Sequence, residues 1–266
     1  MLNVYEREKV ICLEGRVVKS GGAAGKVFAY LVDGMLIDTG PQSLETDFIS
    51  YYTDHPFDLV ALTHSHEDHS GTASWVQTNT NVPIYVHKKG IKICAQPCMY
   101  PKYRQATWGV RNEFRAMPLG EVIHSRSQEW QVIYTPGHAE DHVSFLNKDT
   151  GQLFSGDLFV SPKTKVIMRS ESIPVIMNSL QTLLTYDFGS IYCSHSGYIQ
   201  NGKEMMKQKL EHLEFLCGEV KRYHKEGFSI REINEKLFPK KYPIVDISEG
   251  EWDSMHIVAS ILSEEI

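Results

Sequence analysis

Strand-like apolar segments recur along the first half of this 266-residue chain. Residues 29–32 and 35–38 form two such segments, and they flank Asp33-Gly34, a dipeptide typical of a two-residue hairpin turn. Another apolar run covers residues 59–63, and a strand is also predicted over residues 83–87. The N-terminal third is therefore expected to be rich in β-strands.

Apolar residues spaced three or four positions apart predict helices in the rest of the chain. This spacing occurs in residues 173–188 and 203–225. Further helices are predicted over residues 42–52, 71–78 and 230–237. Ser229 and Glu232 have the spacing of a capping box at the start of one helix. Residues 252–262 close the helical tail. Strands alternating with helices, followed by more strands from Val132 onward, indicate two sheets packed face to face with helices outside.

Composition sets limits on the class of protein. A chain that is 42% hydrophobic can bury a core, and its formal net charge of −6 gives no general attraction to nucleic acid or anionic membranes. It has no apolar run that could span a bilayer, and Met1–Glu8 does not resemble a signal peptide. Five cysteines without a disulfide spacing pattern favour a reducing compartment. We expect a cytoplasmic protein with a small-molecule substrate and no nucleic-acid or membrane partner. The sequence leaves open whether the protein forms a homodimer.

The densest chemistry lies in His64-Ser65-His66-Glu67-Asp68-His69, directly after the apolar run over residues 59–63. His64 and His66 are two positions apart, so an extended backbone would point both imidazoles the same way. Asp68 and His69 follow where a turn would direct them to a second point. Four ligand-type side chains in six residues are more than one metal ion needs, so this cluster predicts two neighbouring metals.

Three later segments supply further ligand-type residues, since His138, Asp157 and His195 each end a short apolar run. Strand ends of α/β proteins meet at one edge, so these side chains are expected to converge on the cluster. Nitrogen and carboxylate donors without thiolates suit zinc, although manganese or iron accepts the same set. A single histidine is usually a packed or surface residue, but burying this whole group without a cation would be costly. His142 is expected beside the cluster, as a supporting residue.

With Asp38 in Leu36–Gly40, these motifs occur in the order found in metallo-β-lactamase-fold hydrolases, which the chain resembles over roughly residues 10 to 200. The resemblance implies an α/β fold, a four-layer αβ/βα sandwich. It also implies a catalytic domain over residues 1–200 and a helical C-terminal extension over residues 201–266.

The resemblance further implies two metal ions, expected to be zinc, with manganese or iron as alternatives. Carried over, the ligands of the first metal are His64, His66 and His138, and those of the second are Asp68, His69 and His195. Asp157 would bridge the metals, with a hydroxide between them, and Asp38 would support the ligands from behind. The implied reaction is hydrolysis of a carbonyl ester-type bond, a thioester or a lactone, in a small molecule.

Catalytic roles beyond the metals are expected for Asp68 and Tyr198. Asp68 would orient the nucleophile, and Tyr198 would donate to a developing oxyanion, unless it is a tyrosine packed at a strand end. The run from Cys193 to Tyr198 resembles the glyoxalase II type, and the metal motifs resemble acyl-homoserine lactonases equally well, although Val160 stands where those enzymes have a tyrosine. In the glyoxalase II setting Lys163 and Lys165 would hold a substrate carboxylate. Two other activities of the same fold stay open: an iron-dependent persulfide dioxygenase and a phosphodiester hydrolase, although the acidic charge argues against a nuclease.

The connection over residues 88–129 is long for a compact domain, which suggests that it covers a site or packs as an ordered excursion. It carries six large apolar or aromatic residues that would form a substrate wall if the segment is a lid: Met99, Tyr100, Tyr103, Trp108, Phe114 and Met117.

Overall fold

The computed structural model describes residues 1–17 and 25–263, and its first sheet has seven strands. In spatial order these are β1 (Leu2–Arg7), β2 (Val10–Val17), β3 (Gly25–Val32), β4 (Met35–Ile37), β5 (Leu59–Ala61), β6 (Ile84–Val86) and β7 (Met117–Pro118). Strands β1 to β4 are antiparallel, and β4 to β7 are parallel. The predicted hairpin turn is confirmed: Asp33 and Gly34 have φ angles of 46° and 79°, as its mirror-image turn requires.

The second sheet has six strands and packs against the first. In spatial order these are β14 (Gly197–Ile199), β13 (Ile191–Cys193), β11 (Gln152–Gly156), β10 (Val143–Asn147), β9 (Glu129–Tyr134) and β8 (Val122–His124). Strands β11 and β13 are parallel, and the other neighbours are antiparallel. A separate two-stranded sheet pairs β12 (Ile167–Met168) with β15 (Trp252–Asp253). That pairing joins the segment after Asp157 to the end of the chain.

The helices agree with most of the predicted segments. They are α1 (Glu45–Asp54), α2 (Glu67–Ser70), α3 (Ala73–Asn79), α4 (Ile91–Cys94), α5 (Lys102–Trp108), α6 (Ile173–Leu184), α7 (Gly202–Lys225), α8 (Ile230–Leu237), α9 (Pro243–Ile247) and α10 (Met255–Leu262). The capping box of α8 is present, because Ser229 and Glu232 each accept a hydrogen bond from the other's backbone N–H.

Helix boundaries differ from the prediction at several places; α6, for example, ends at Leu184, although the prediction extended to residue 188. Residues Gln42–Leu44 form a 3-10 turn before α1 begins, so the first helix starts later than residue 42. Trp252 and Asp253 form β15 and do not belong to the last helix, which begins at Met255. Trp252 and Asp253 are extended because their backbone pairs with β12, and the spacing of apolar residues along the sequence carries no information about that pairing.

Three apolar clusters show the order of layers. Between the sheets lie aromatic side chains from both, including Tyr30 of β3 and Phe154 of β11. The outer face of the first sheet packs against α1 and α3, and that of the second packs against α6, α7, α8 and α10. The predicted four-layer αβ/βα sandwich is therefore confirmed. The boundary near residue 200 stays a prediction, and the last of these clusters contains residues from both sides of it, Ile191 and Leu213 among them.

Within residues 1–17 and 25–263, no helix is both long and apolar enough to cross a membrane. The same part of the chain contains no disulfide, although all five cysteines lie in it.

Candidate metal centre

Four strands from both sheets end at the predicted cluster. Strand β5 ends three residues before His64, β11 ends directly before Asp157, and β13 ends two residues before His195. Strand β9 ends four residues before His138. Because these ends meet at one edge, residues distant in sequence converge there.

The structure brings all seven predicted ligands together. Their donor atoms form three groups, within each of which all atoms lie within 4.8 Å of one another: His64, His66 and His138; His64, His69 and Asp157; Asp68, His69 and His195. Asp157 Oδ2 also lies 3.3 Å from His138 Nε2 and 3.1 Å from His195 Nε2. It is thus the carboxylate that faces both predicted metal positions.

Several buried donor atoms in this cluster lack the partners that they would need without a cation. His69 Nε2 and Asp157 Oδ1 are buried with no hydrogen-bond partner among the described residues. His66 Nδ1 lies 2.9 Å from His64 Nε2 and 3.1 Å from His138 Nε2. Three ring nitrogens facing one another cannot all be paired by protons. The residues present therefore fit a pair of metal ions.

The outward ring nitrogens of four histidines are held by oxygen acceptors. The contacts are His69 Nδ1 to Asp38 Oδ2 at 2.8 Å, His195 Nδ1 to the Lys26 carbonyl at 2.6 Å, His64 Nδ1 to Thr63 Oγ1 at 3.1 Å, and His138 Nδ1 to Glu171 Oε1. A proton on each Nδ1 leaves the Nε2 lone pair directed at the centre, and such partners fix the orientation of a ligand.

Asp38 lies behind the cluster and is almost fully buried. Its carboxylate accepts hydrogen bonds from the Thr63 backbone N–H and hydroxyl, both at 2.8 Å, in addition to His69. Its φ angle of 57° is in the left-handed region, which aspartate tolerates better than most residues. Asp38 thus orients His69 without facing the donor atoms of the centre.

His142 supports Asp157 through the backbone. Its Nε2 accepts the N–H of Asp157 at 3.0 Å, so its Nδ1 carries the proton and donates to Thr135 Oγ1 at 2.9 Å. Burial lowers the pKa of His142 to about 3, which keeps the ring neutral. The structure therefore places His142 in the supporting role expected of it.

The charges of the cluster suit cation binding. Burial lowers the pKa of His64 and His66 well below the usual value, so both are neutral near pH 7. Although burial opposes it, neighbouring imidazoles hold the pKa of Asp68 and Asp157 well below the usual range. Without a cation these carboxylates in turn raise the pKa of His195, against the effect of burial. Metal binding would displace such protons.

Two buried acidic residues near the cluster were missed by the sequence analysis. Glu171 binds His138 through Oε1 and accepts the Met168 backbone N–H through Oε2 at 2.9 Å. Glu67, a spacer in the histidine motif, accepts two hydrogen bonds from Arg104 at 2.6 and 2.7 Å. Glu171 belongs to no motif, and only its proximity in the fold reveals it.

The structure places Tyr198 away from the cluster, which corrects the catalytic role predicted for it. Strand β14 reverses direction after His195 and pairs Tyr198 with Tyr192. The Tyr198 hydroxyl donates to Glu8 Oε1 at 2.7 Å, and Tyr198 is not among the described residues that line the cavity at the ligands. It is the tyrosine packed at a strand end that the sequence analysis weighed as the alternative.

A cavity of about 450 Å³ opens from the ligands. The side chains that line it beyond the ligands are mostly apolar, and they include Trp108, Val166, Ile167, Met168, Ile176, Ile244 and Trp252. Lys163, Lys165 and Lys209 also line it. The ring centroid of Trp108 lies 6.3 Å from that of His195, so this tryptophan lies beside the group formed by Asp68, His69 and His195.

The connection over residues 88–129 contributes only part of the predicted wall. Tyr103 and Trp108, both on α5, line the cavity. Met99 is 90% exposed, and Tyr100 uses its hydroxyl to bind backbone groups of the same connection. Phe114 is buried in the core under the first sheet. The segment is thus an ordered excursion whose helix α5 borders the cavity.

A sequence profile described as the metallo-beta-lactamase superfamily matches residues 22–195. The probable metallo-hydrolase YybB of Bacillus subtilis is 28% identical over 110 residues, which are 39% of this chain and 46% of YybB. The atrochrysone carboxyl ACP thioesterase of Passalora fulva is 26% identical over 188 residues, 67% of this chain and 49% of the thioesterase. The chain spans about half of the length of these curated relatives.

Solved structures show the same fold at low identity. A metallo-beta-lactamase family protein from Thermus thermophilus superposes with a TM-score of 0.70 at 18% identity, covering 97% of this chain and 94% of that one. A beta-lactamase domain protein from Burkholderia ambifaria gives a TM-score of 0.73 at 18% identity, covering 99% and 88%. One conclusion follows from the profile match over more than half of the chain, the four-layer fold and the converging ligands. The chain belongs to the metallo-beta-lactamase superfamily.

Proposed function

We propose that this protein is a metal-dependent hydrolase that uses two metal ions to cleave a thioester or lactone bond of a small molecule. The observation that carries the proposal is the convergence of seven ligand side chains, with unpaired donor atoms on His69 and Asp157, at the end of a largely apolar cavity. A catalytic centre needs such a site together with space for a substrate.

The ligand assignment follows the three groups of donor atoms. His64, His66 and His138 would hold one metal, and Asp68, His69 and His195 the other, with Asp157 shared. Imidazole and carboxylate donors suit zinc, and manganese or iron accepts the same set. Two cations bound here would lower the pKa of a water molecule and polarise the substrate carbonyl.

Asp68 is the residue that we propose for orienting the attacking water. Its Oδ2 lies 3.4 Å from His195 Nε2 and 3.6 Å from His69 Nε2, and the residue lines the cavity. The low pKa of Asp68 keeps it ionised near pH 7, although burial alone would raise that pKa. An ionised carboxylate at this place accepts a hydrogen bond from water and so directs a lone pair toward the carbonyl.

The cavity supports an acyl substrate. Its apolar wall would hold a hydrocarbon or aromatic acyl group with the ester carbonyl at the ligands. Lys163 and Lys165 are exposed at this cavity. We propose that they attract an anionic end of the substrate. The thioesterase among the relatives adds support for the thioester over the lactone.

A cytoplasmic location is part of the same proposal. All five cysteines lie in the described part of the chain, and it contains no disulfide, as expected of a protein in a reducing compartment.

The test is a hydrolysis assay with purified protein on neutral acyl thioesters and acyl lactones, before and after chelation and after return of zinc, manganese or iron. We expect hydrolysis of at least one ester class, loss with the chelator and recovery with metal. Failure of the metal-loaded protein on both ester classes would contradict the proposal. Hydrolysis of a phosphodiester in the same series, or oxygen consumption with a persulfide, would replace it with one of the two alternatives.

A further inference from the structure

Helix α7 carries a lysine on its buried face. The inward residues recur at helical spacing, and they are Met206, Lys209, Leu213, Leu216 and Val220. Lys209 thus occupies a position where the pattern calls for an apolar side chain, and it is 6% exposed. Lysine is almost never buried to this degree unless it is paired.

The ammonium group of Lys209 is only partly satisfied. Its Nζ donates to the carbonyl oxygens of Leu158 at 2.7 Å and Phe159 at 2.6 Å. An ammonium has three N–H donors, and the third has no acceptor within residues 1–17 and 25–263. No carboxylate in that part of the chain forms an ion pair with it. A buried charge without a counter-ion is costly, so the structure must gain something from it.

Lys209 borders the cavity that holds the proposed metal ligands, and the lining of that cavity includes the apolar Ile167, Met168 and Ile176 as well as Glu171. Burial lowers its pKa to about 8, although Glu171 and Asp157 oppose this. Three of the described lysines line the cavity, and Lys209 is the buried one with a spare donor, whereas Lys163 and Lys165 are exposed.

We propose that Lys209 binds an anionic oxygen on the acyl part of the substrate, so that the site selects acyl groups with a carboxylate beyond the bond that is cleaved. This inference rests on the proposed ester hydrolysis. A carboxylate there would accept the third N–H and supply the missing counter-charge. Charge-assisted hydrogen bonds are about twice as strong as neutral ones, which makes such a contact decisive for preference.

A purely structural role is the competing explanation, because the two carbonyl contacts hold the loop that follows Asp157. Such a role would affect every substrate alike. A binding role affects only substrates that carry the anionic group, so paired substrates separate the two.

The experiment compares thioesters of one neutral leaving group, N-acetylcysteamine, that differ only at the acyl end: hexanoyl with adipyl, and the pairs one carbon shorter and longer. The variants are Lys209→Met and, as a matched control, Lys207→Met, an exposed lysine on the same helix. For wild type we expect kcat/KM to favour at least one dicarboxylic acyl group. Lys209→Met should lose about tenfold to a hundredfold on that substrate, the range for a hydrogen bond to a charged group. The hexanoyl thioester should change by less than about threefold, and Lys207→Met should alter neither.

Equal losses of Lys209→Met on both members of each pair, or no preference in wild type at any length, would overturn the inference. If Lys209→Met does not fold, Lys209→Gln serves the same comparison. If wild type hydrolyses no thioester, the thioester part of the proposed function has failed. The role of Lys209 is then tested by calorimetry, which compares the binding of adipate and of hexanoate to wild type and to Lys209→Met. The inference holds only if wild type binds adipate and the variant does not.

Discussion

The two ends of the cavity are built on different principles. At the metal end, strand ends deliver the ligands, and the outward nitrogens of His69, His138 and His195 are held by oxygen acceptors. At the other end, α5, the segment over residues 160–168 and the C-terminal residues Ile244 and Trp252 contribute mainly apolar surface. A change at the first end should therefore affect every substrate, and a change at the second should affect the choice among substrates.

One side chain joins the two ends. Arg104 of α5 borders the cavity, binds Glu67 next to the ligand Asp68, and places its Nη1 3.5 Å from Glu251 beside β15. Burial raises the pKa of the Glu67 carboxyl, and the positive charge of Arg104 lowers it. The effect of burial is the larger, so this pKa is raised. This ion pair connects α5, which lines the cavity wall, to α2, which carries the ligands, so the two ends of the cavity are held together.

The largest effect is expected for Asp157→Ala. This carboxylate faces donor atoms of both predicted metals, so its loss leaves two cations without a shared anion. We expect kcat/KM to fall by more than about a hundredfold, the upper value for losing a residue that only supports a ligand, with metal content also reduced. The control Lys163→Ala should keep its metal. Equal metal content in wild type and Asp157→Ala, measured by elemental analysis, would refute the bridging role.

The next effect is expected for Glu171→Gln, which weakens the support of His138 without emptying the space. Loss of such partners costs about tenfold to a hundredfold in metal affinity. The measurement is competition with a chromophoric chelator. Glu140→Gln changes a carboxylate whose side chain is 83% exposed and should leave the affinity unchanged. If both variants bind metal like wild type, Glu171 does not position His138.

A smaller and selective effect is expected at the wall. Each methylene buried there contributes about 0.8 kcal/mol, so kcat/KM should rise several-fold per added carbon until the wall is reached. Trp108→Ala should flatten this dependence on acyl-chain length with metal content unchanged. Met99→Ala, a change at a 90% exposed residue of the same connection, is the matched control. Parallel profiles for wild type and Trp108→Ala would show that α5 does not select the acyl group.

The smallest effect on activity is expected for Tyr198→Phe, because Tyr198 lies outside the cavity. Activity should stay within about twofold, as for substitutions away from a site. Although burial opposes it, the hydrogen bond from Tyr198 helps to keep the pKa of Glu8 below 4.5. The stability that this lowered pKa contributes is present at pH values above the pKa of Glu8 in the unfolded chain. It is lost as the pH falls through the pKa of Glu8 in the folded protein. The free energy of unfolding, from urea unfolding, should therefore differ less between wild type and Tyr198→Phe as the pH falls below 4.5. A large fall in kcat would return Tyr198 to the catalytic set.

The sequence was informative where chemistry is local to a motif. His64, His66, Asp68 and His69 lie in one short segment, and the apolar runs before His138, Asp157 and His195 showed that these residues end strands. Since strand ends share an edge, their meeting followed from the fold class. The family and the four-layer order were predicted correctly for the same reason.

The remaining features depend on contacts between distant segments. Glu171 supports His138 across 33 positions, and β12 pairs with β15 near the end of the chain. The misassignment of Tyr198 came from its distance to His195 along the sequence, which ignores the reversal of β14. Lys209 did leave a signal, because it interrupts the apolar stripe of α7.

We propose above that the cluster holds two metal ions and performs hydrolysis. The most direct measurement is the number and identity of metal ions per chain in the purified protein, after reconstitution with excess metal and removal of what is loosely bound. The account predicts two ions per chain, zinc or manganese with iron accepted, and ester hydrolysis that rises with occupancy. A single tightly bound iron per chain, with oxygen consumed on a persulfide, would contradict it.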